Sequence, residues 1–184
     1  LAKALLPAFT YLLQKAIPDV VVQTVKPTAT MPLGGDNAQC AILFATSFND
    51  KSGVNNALDR LLRRTMQAST GTVSSPPSQL VCISTLGTER TDKLPYSMQN
   101  MIGGGKLEKR RQMEESIITT VQQRAQTPLD YTICKFGEKL QQTSGKNTDS
   151  SFQLKPGDVL DGSTAVDTAA HVLLQAVAYQ PAAR

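Results

Sequence analysis

The chain has 184 residues, of which 40% are hydrophobic and 18% are charged. This balance predicts one globular domain over residues 1–184 with enough apolar side chains to bury a core. No apolar run is long enough to span a membrane, and the net charge of +4 is only mildly basic. Composition therefore argues against an integral membrane protein, whereas the mildly basic balance permits a nucleic-acid binder without indicating one.

The first elements are a helix and a short strand. Residues 1–17 carry apolar side chains at helical spacing, and Pro18 ends the predicted helix. Residues 20–25 are rich in β-branched side chains and predict a strand. Residues 26–38 contain two prolines and a Gly-Gly pair, which predict a loop.

Strands and helices alternate through the rest of the chain. The apolar runs at residues 40–45 and 80–84 are typical of strands buried on both faces, and residues 131–136 predict a third strand. Helical spacing of apolar residues predicts helices at 54–65, 107–121 and 164–179. Residues 85–105 and 141–151 are predicted connections. This alternation predicts an α/β fold with a parallel sheet and crossover helices.

The cysteines and the histidine predict no metal site. Cys40, Cys82 and Cys134 each lie in or beside a predicted strand, and their spacing forms neither a CxxC pair nor a zinc pattern. We interpret all three as free thiols in the core of a protein from a reducing compartment. His171, the single histidine, lies in a helix rich in alanine and leucine without a partner cluster.

Basic residues recur on two predicted helices, at Arg60–Arg64 and at Lys106–Arg111. A basic helical face can meet phosphate, an acidic protein or only water, and a solvated face is the most common case. If either face has a partner, we expect an acidic protein surface, with the Arg63-Arg64 pair as the first candidate contact.

Three stretches together resemble a known family. They are LVCISTLGTERTD (residues 80–92), EKRRQMEESI followed by LDYTICKFGEKL (108–117 and 129–140), and STAVDTAAHVLLQAVAYQPAA (163–183). Their order and spacing over residues 39–183 resemble the atypical and extended short-chain dehydrogenases/reductases. The similarity is greatest to plastid members, many of which assist photosynthetic complexes. The resemblance implies a Rossmann-like parallel sheet with flanking helices, whose N-terminal strands, over residues 1–38, are truncated or degenerate.

The residues that give this family its chemistry are missing. In its Tyr-x-x-x-Lys pair, the lysine position falls on Arg110, or on Lys109 with a shift of one residue, and the tyrosine position falls on Lys106 or Gly105. Neither can act as the acid or base. The G-x-G-x-x-G loop that holds a dinucleotide is also absent. The sequence therefore predicts no catalytic residue.

The resemblance nevertheless implies a vestigial or conditional cofactor site. It would hold NADP only if a glycine loop lies upstream of Leu1, and otherwise no cofactor is expected. Each candidate also has a plainer role as a strand end, a turn cap, a solvated helix start or a lysine that reaches water. The candidate residues are Thr46, Ser84, Thr85, Lys109, Arg110 and Lys135.

Three functions follow from these observations. The favoured one is a non-catalytic auxiliary subunit of a larger protein assembly, a plastid photosynthetic complex, on the stromal side, where any membrane contact is made through partners. The alternative is an NADPH-dependent reductase or isomerase in which Tyr96 or another group replaces the missing acid. The third is an RNA-binding plastid factor, which an aromatic content of 5% disfavours because bases need stacking platforms.

Overall fold

The structure is a computed structural model that describes residues 2–20, 22, 40–44, 79–124, 130–137, 140–141 and 153–178. Its elements in chain order are α1 (Ala2–Ala16), β1 (Cys40–Phe44), β2 (Gln79–Thr85), α2 (Tyr96–Ile102), α3 (Lys106–Arg124), β3 (Asp130–Phe136), β4 (Leu140–Gln141), β5 (Thr164–Ala165) and α4 (Val166–Ala178).

Most predicted elements that lie within the described residues are confirmed. The first helix, the three apolar strands and the helices predicted at 107–121 and 164–179 form, with ends moved by a few residues. The helix α2 was not predicted, because residues 85–105 were interpreted as a connection. Val20 and Val22, from the strand predicted at 20–25, are not in a strand. The helix predicted at 54–65, with the basic face Arg60–Arg64, lies outside the described residues.

The strands are parallel, as predicted. β1, β2 and β3 form one sheet in the order β1-β2-β3, with Ile42 beside Val81 and Ile83 beside Cys134. The short strands β4 and β5 pair with each other in a second parallel sheet. Every residue of β2 is buried, as expected for a strand with a neighbour on each side and helices above and below.

One face of the three-stranded sheet packs against α1 and α4. Alternate residues of β2 and β3 point to this side, because successive side chains in a strand face opposite ways. They meet apolar side chains spaced three or four residues apart along the two helices. This core contains Val81, Ile83, Cys134, Phe136, Leu5, Phe9, Leu13, Ala169, Ala170 and Leu173.

The other face of the sheet packs against α3. Leu107, Met113, Ile117 and Val121 are buried at helical spacing along this helix. The helix therefore turns one apolar stripe toward the strands, and it places Glu114, between Met113 and Ile117, above the ends of β2 and β3. Among the described residues, no helix combines the length and hydrophobicity needed to cross a membrane.

Candidate functional site at the carboxyl ends of β2 and β3

The carboxyl edge of a parallel α/β sheet is the usual place for a ligand. At this edge, Ser84 of β2 lies directly beside Lys135 of β3, and the next pair is Thr85 beside Phe136. The register therefore brings two of the candidate cofactor residues, Ser84 and Lys135, together on the α3 side of the sheet. Thr85, also a candidate, points to the opposite side.

Glu114 of α3 is the centre of this edge. Glu114 is 7% exposed, and its carboxylate accepts hydrogen bonds from the hydroxyls of Ser84 and Thr88. Lys135 Nζ lies 3.0 Å from Glu114 Oε2 and donates to Thr88 Oγ1 at 2.9 Å. The buried carboxylate is thus neutralised and fully hydrogen-bonded by its neighbours, which is what a buried charge requires.

The charge of Lys135 is already paired. Its Nζ atom lies 2.5 Å from Glu89 Oε1 in addition to Glu114 Oε2. Burial lowers the pKa of Lys135, but the hydrogen bond to Glu89 and the charge of Glu114 outweigh it, so the pKa is raised. Asp158 Oδ2 is a third, more distant neighbour at 3.9 Å. Lys135 stays cationic among three carboxylates, which leaves it poorly placed to bind a phosphate.

Asp158 ties two distant loops together. Its carboxylate is completely buried and accepts hydrogen bonds from the backbone N–H groups of Gly87, at 2.8 Å, and Glu89, at 2.9 Å. Arg90 Nη2 lies 3.2 Å from the same carboxylate. Asp158 therefore fixes the loop that follows β2 against residues 153–163, and charge-assisted bonds of this kind are stronger than neutral ones.

Arg90 and Tyr96 extend this cluster toward α2. The Arg90 guanidinium stacks over the Tyr96 ring, 4.4 Å from its centroid, and pairs with Asp161 at 2.9 Å. Tyr96 donates its hydroxyl hydrogen to Asp161 Oδ1 at 2.7 Å. Burial and this hydrogen bond raise the pKa of Tyr96 to about 12, even though the charge of Arg90 acts in the other direction.

The remaining candidates are dispersed. Lys109 is exposed on the first turn of α3, whereas Arg110 is half-buried and lines a cavity beside Ser84. The hydroxyl of Thr85 is buried and has no hydrogen-bond partner in the part of the chain that the structure describes. Thr46 lies outside the described residues. The structure therefore brings Ser84 and Lys135 into one cluster, with Arg110 next to it.

The cavity at this edge is small. It lies between β2, β3 and α3, has a volume of about 20 Å³, and is lined by residues that include Cys82, Met113 and Ile133. A space of this size accommodates about one water molecule. Because the cavity is so small and Lys135 is already paired, the described residues of β2, β3 and α3 at this edge do not fit a dinucleotide.

The cysteines lie in the interior, as predicted. Cys82 and Cys134 are buried, Cys40 is half-buried, and none forms a disulfide. Burial raises the pKa of Cys82 to about 12 and the pKa values of Cys40 and Cys134 to about 11, so these thiols are poor nucleophiles. His171 is exposed on α4, and the described residues contain no group of three or more His, Cys, Asp or Glu side chains that could hold a metal ion.

Sequence reasoning missed Thr88, Arg90, Glu114 and Asp158 as members of the cluster. Glu114 lies four residues after Arg110, the position that the resemblance assigns to the family's lysine, but no sequence pattern marked Glu114 itself as a site residue. Arg90 and Asp158 are 68 residues apart, so no periodicity links them.

Comparison with known proteins found no match. No protein-family model matches the chain, and no curated protein or solved structure matches it either.

Proposed function

We propose that this chain is a non-catalytic, Rossmann-like auxiliary subunit that acts by binding a larger protein assembly. The observation that carries the proposal is that the carboxyl edge of β2 and β3 is closed by its own side chains. Ser84, Thr88 and Lys135 converge on Glu114, in the place where an enzyme of this architecture would expose groups to a substrate. Their bonding capacity is used within the protein.

The sheet supports the Rossmann-like part of the proposal. One half of a doubly wound fold has consecutive parallel strands as neighbours, with helices on both faces. The order β1-β2-β3, with α3 on one face and α1 with α4 on the other, has this character.

The alternative function, an NADPH-dependent reductase, needs a proton donor. Tyr96 was the candidate, but its side chain is 6% exposed and its hydroxyl is bonded to Asp161. A catalytic tyrosine of this kind must release its proton near neutral pH, whereas the pKa of Tyr96 is raised to about 12. Both observations favour a structural role for Tyr96 and therefore disfavour the reductase.

The resemblance to plastid family members suggests which assembly to test first. We propose a photosynthetic complex in the plastid, with the chain on the stromal side. The three buried or half-buried free thiols agree with a reducing compartment.

A calorimetric titration of the longest natural form of the protein with NADPH tests the non-catalytic part. We expect no saturable binding at micromolar concentrations, and the same result for Arg110→Ala. Saturable binding of the natural form that Arg110→Ala weakens would overturn the proposal, as would turnover of a carbonyl substrate with NADPH.

The size of the native particle tests the auxiliary-subunit part. Separation of gently solubilised source membranes and stroma on native gels should place this chain in a particle much larger than its own 19.8 kDa. A chain found only at its monomeric size would contradict the proposal, whatever the outcome of the NADPH titration.

A further inference from the structure

The helix α2 presents an apolar face to water. Leu94, Met98, Met101 and Ile102 have exposed fractions of 75%, 54%, 76% and 77%. Met98, Met101 and Ile102 follow the i, i+3, i+4 spacing of one helical face, and Leu94 precedes the helix and its N-cap residue Pro95. We call these four residues the α2 apolar face. Single exposed apolar residues are common, but a contiguous group usually marks an interaction site.

The α2 apolar face is held outward by the opposite side of the helix. At about 100° per residue, Tyr96 and Asn100 lie on one side of α2, and Met98, Met101 and Ile102 lie on the other. Tyr96 is buried and bonded to Asp161. Asn100 Oδ1 accepts hydrogen bonds from the backbone N–H groups of Leu107 and Glu108, at 3.0 and 3.2 Å. The helix cannot turn its apolar face inward without breaking these bonds.

The exposed charged residues that flank α2 in the chain, between residues 92 and 109, are mainly basic: three are lysines and one is the acid Asp92. Lys93 precedes Leu94, and Lys106 and Lys109 begin the next helix, which Asn100 joins to α2; all three lysines are exposed. The Lys106 side chain lies over the end of α2. A Cβ atom added to Gly103, the residue after the helix, would be only 3.7 Å from Lys106 Cδ. A partner with acidic residues around its apolar contacts would be complementary to this surface.

We infer that the α2 apolar face is the docking surface for an acidic, amphipathic segment of a partner protein. This inference rests on the proposed function and names the surface that it uses. The apolar side chains of the segment would pack on Met98, Met101 and Ile102, and its carboxylates would meet Lys93, Lys106 and Lys109. A few buried side chains usually supply most of the binding energy of an interface, so three or four suffice for a specific contact.

A protein partner fits this surface better than a lipid membrane does. Two of the four residues are methionines, which are enriched at protein interfaces because their side chains adapt to irregular contacts. Helices that lie in a membrane surface are usually much longer and carry Trp or Phe among their apolar residues. The helix α2 has seven residues, and its apolar face contains no aromatic side chain.

A displayed library of helix-forming peptides, selected against the full chain, tests the inference. We expect the selected peptides to combine apolar residues at helical spacing with Asp or Glu, and to bind more weakly as salt is added. Ile102→Glu should weaken their affinity at least about tenfold. The matched control is Ile17→Glu. Ile17 is also exposed, but it follows the end of α1, the helix that packs on the face of the sheet opposite α3.

Several outcomes would overturn the inference. Selected peptides that bind Ile102→Glu as well as the wild type would place the docking surface elsewhere, and a selection without binders, or with basic rather than acidic binders, would refute the assigned chemistry. Binding of the protein to vesicles of anionic lipid that is lost in Ile102→Glu but kept in Ile17→Glu would assign the face to a membrane. Sedimentation that shows an Ile102-dependent dimer would assign it to a second copy of the chain.

The two proposals can fail separately. If the Ile102→Glu chain still enters the large native particle, the auxiliary-subunit function stands and the docking surface is wrong. If the wild-type chain never enters such a particle yet binds the acidic peptides through Ile102, the surface stands and the proposed function is wrong.

Discussion

Two neighbouring hydroxyl residues, Ser84 and Thr85, experience opposite environments at the end of β2. The Ser84 hydroxyl donates to the buried Glu114 carboxylate. The Thr85 side chain points to the other face of the sheet, is 1% exposed, and has a hydroxyl that finds no partner among the described residues. A buried polar group stabilises the fold when it is hydrogen-bonded and destabilises it when it is not.

We therefore expect opposite effects from removing the two hydroxyls. Ser84→Ala should lower the free energy of unfolding by about 1.5–3 kcal/mol, because Glu114 loses a donor. Thr85→Val keeps the shape of the side chain and should raise this free energy by about 1 kcal/mol. Urea denaturation measures both, each variant serving as the other's control. A clear loss of stability in Thr85→Val would mean that the hydroxyl has a partner.

At the scale of elements, the contact between the loop after β2 and the helix α2 depends on a glycine. Gly87 has a φ of +89°, and a Cβ atom placed on it would lie 2.0 Å from Tyr96 Cδ1. Gly104, between α2 and α3, has a φ of +66° but open space around it. Both positions favour glycine for their backbone conformation, and Gly87 alone is also packed tightly.

Replacing each glycine by alanine should separate these two costs. Gly104→Ala should lower the free energy of unfolding by about 1 kcal/mol, because alanine is strained in the left-handed conformation. Gly87→Ala adds a clash with the Tyr96 ring to this strain and should lower it by about 2–5 kcal/mol. Thermal or urea unfolding gives both values. Equal losses in the two variants would show that Tyr96 moves aside freely, which would contradict its tight placement under Arg90.

At the scale of the whole molecule, the cysteine thiols in the interior predict how the free energy of unfolding changes with pH. The pKa of Cys82 is raised from about 9 to about 12, and the pKa values of Cys40 and Cys134 to about 11, because burial disfavours the thiolates. As pH rises above about 9, the thiols of the unfolded chain lose their protons first. The free energy of unfolding should therefore be constant near neutral pH and fall between about pH 9 and pH 11.

Urea denaturation across this pH range tests the prediction. Above about pH 10, Tyr96 adds to the loss, since its pKa is also raised, to about 12. The variant Cys82→Ala should be less stable at neutral pH, because it leaves a small cavity, but its stability should decline less steeply with pH. A wild-type stability that is flat or that increases up to pH 10 would contradict the burial of the thiols.

The sequence predicted the sheet better than it predicted the site. Continuous apolar runs such as CAILF and LVCIS are typical of strands in a parallel sheet, and this local signal identified β1 and β2. The helix α2 was missed because its outward face is apolar, which removes the amphipathic contrast expected of a surface helix. The cluster around Glu114 and Asp158 joins side chains that are far apart in the chain, and no local pattern encodes such pairings.

The anchoring of the loop after β2 by Asp158 has a consequence for how the chain folds. β2, α3 and β3 lie within residues 79–136, but the bonds from Gly87 and Arg90 to Asp158 span 71 and 68 residues. Such distant contacts usually form late. Asp158→Asn should then accelerate unfolding in stopped-flow experiments and leave the refolding rate nearly unchanged. Slower refolding with unchanged unfolding would show that the contact forms early.

The late formation of the contacts to Asp158 also matters while the chain is being synthesised on the ribosome. The segment that carries Asp158 and Asp161 is made after the sheet and α3, and until it emerges Arg90 and Tyr96 lack the partners that hold α2 in place. The α2 apolar face thus acquires its fixed orientation only after the segment with Asp158 and Asp161 has been synthesised. A partner that recognises this oriented face would discriminate between chains in which this segment is folded onto the loop after β2 and chains in which the segment is not yet made.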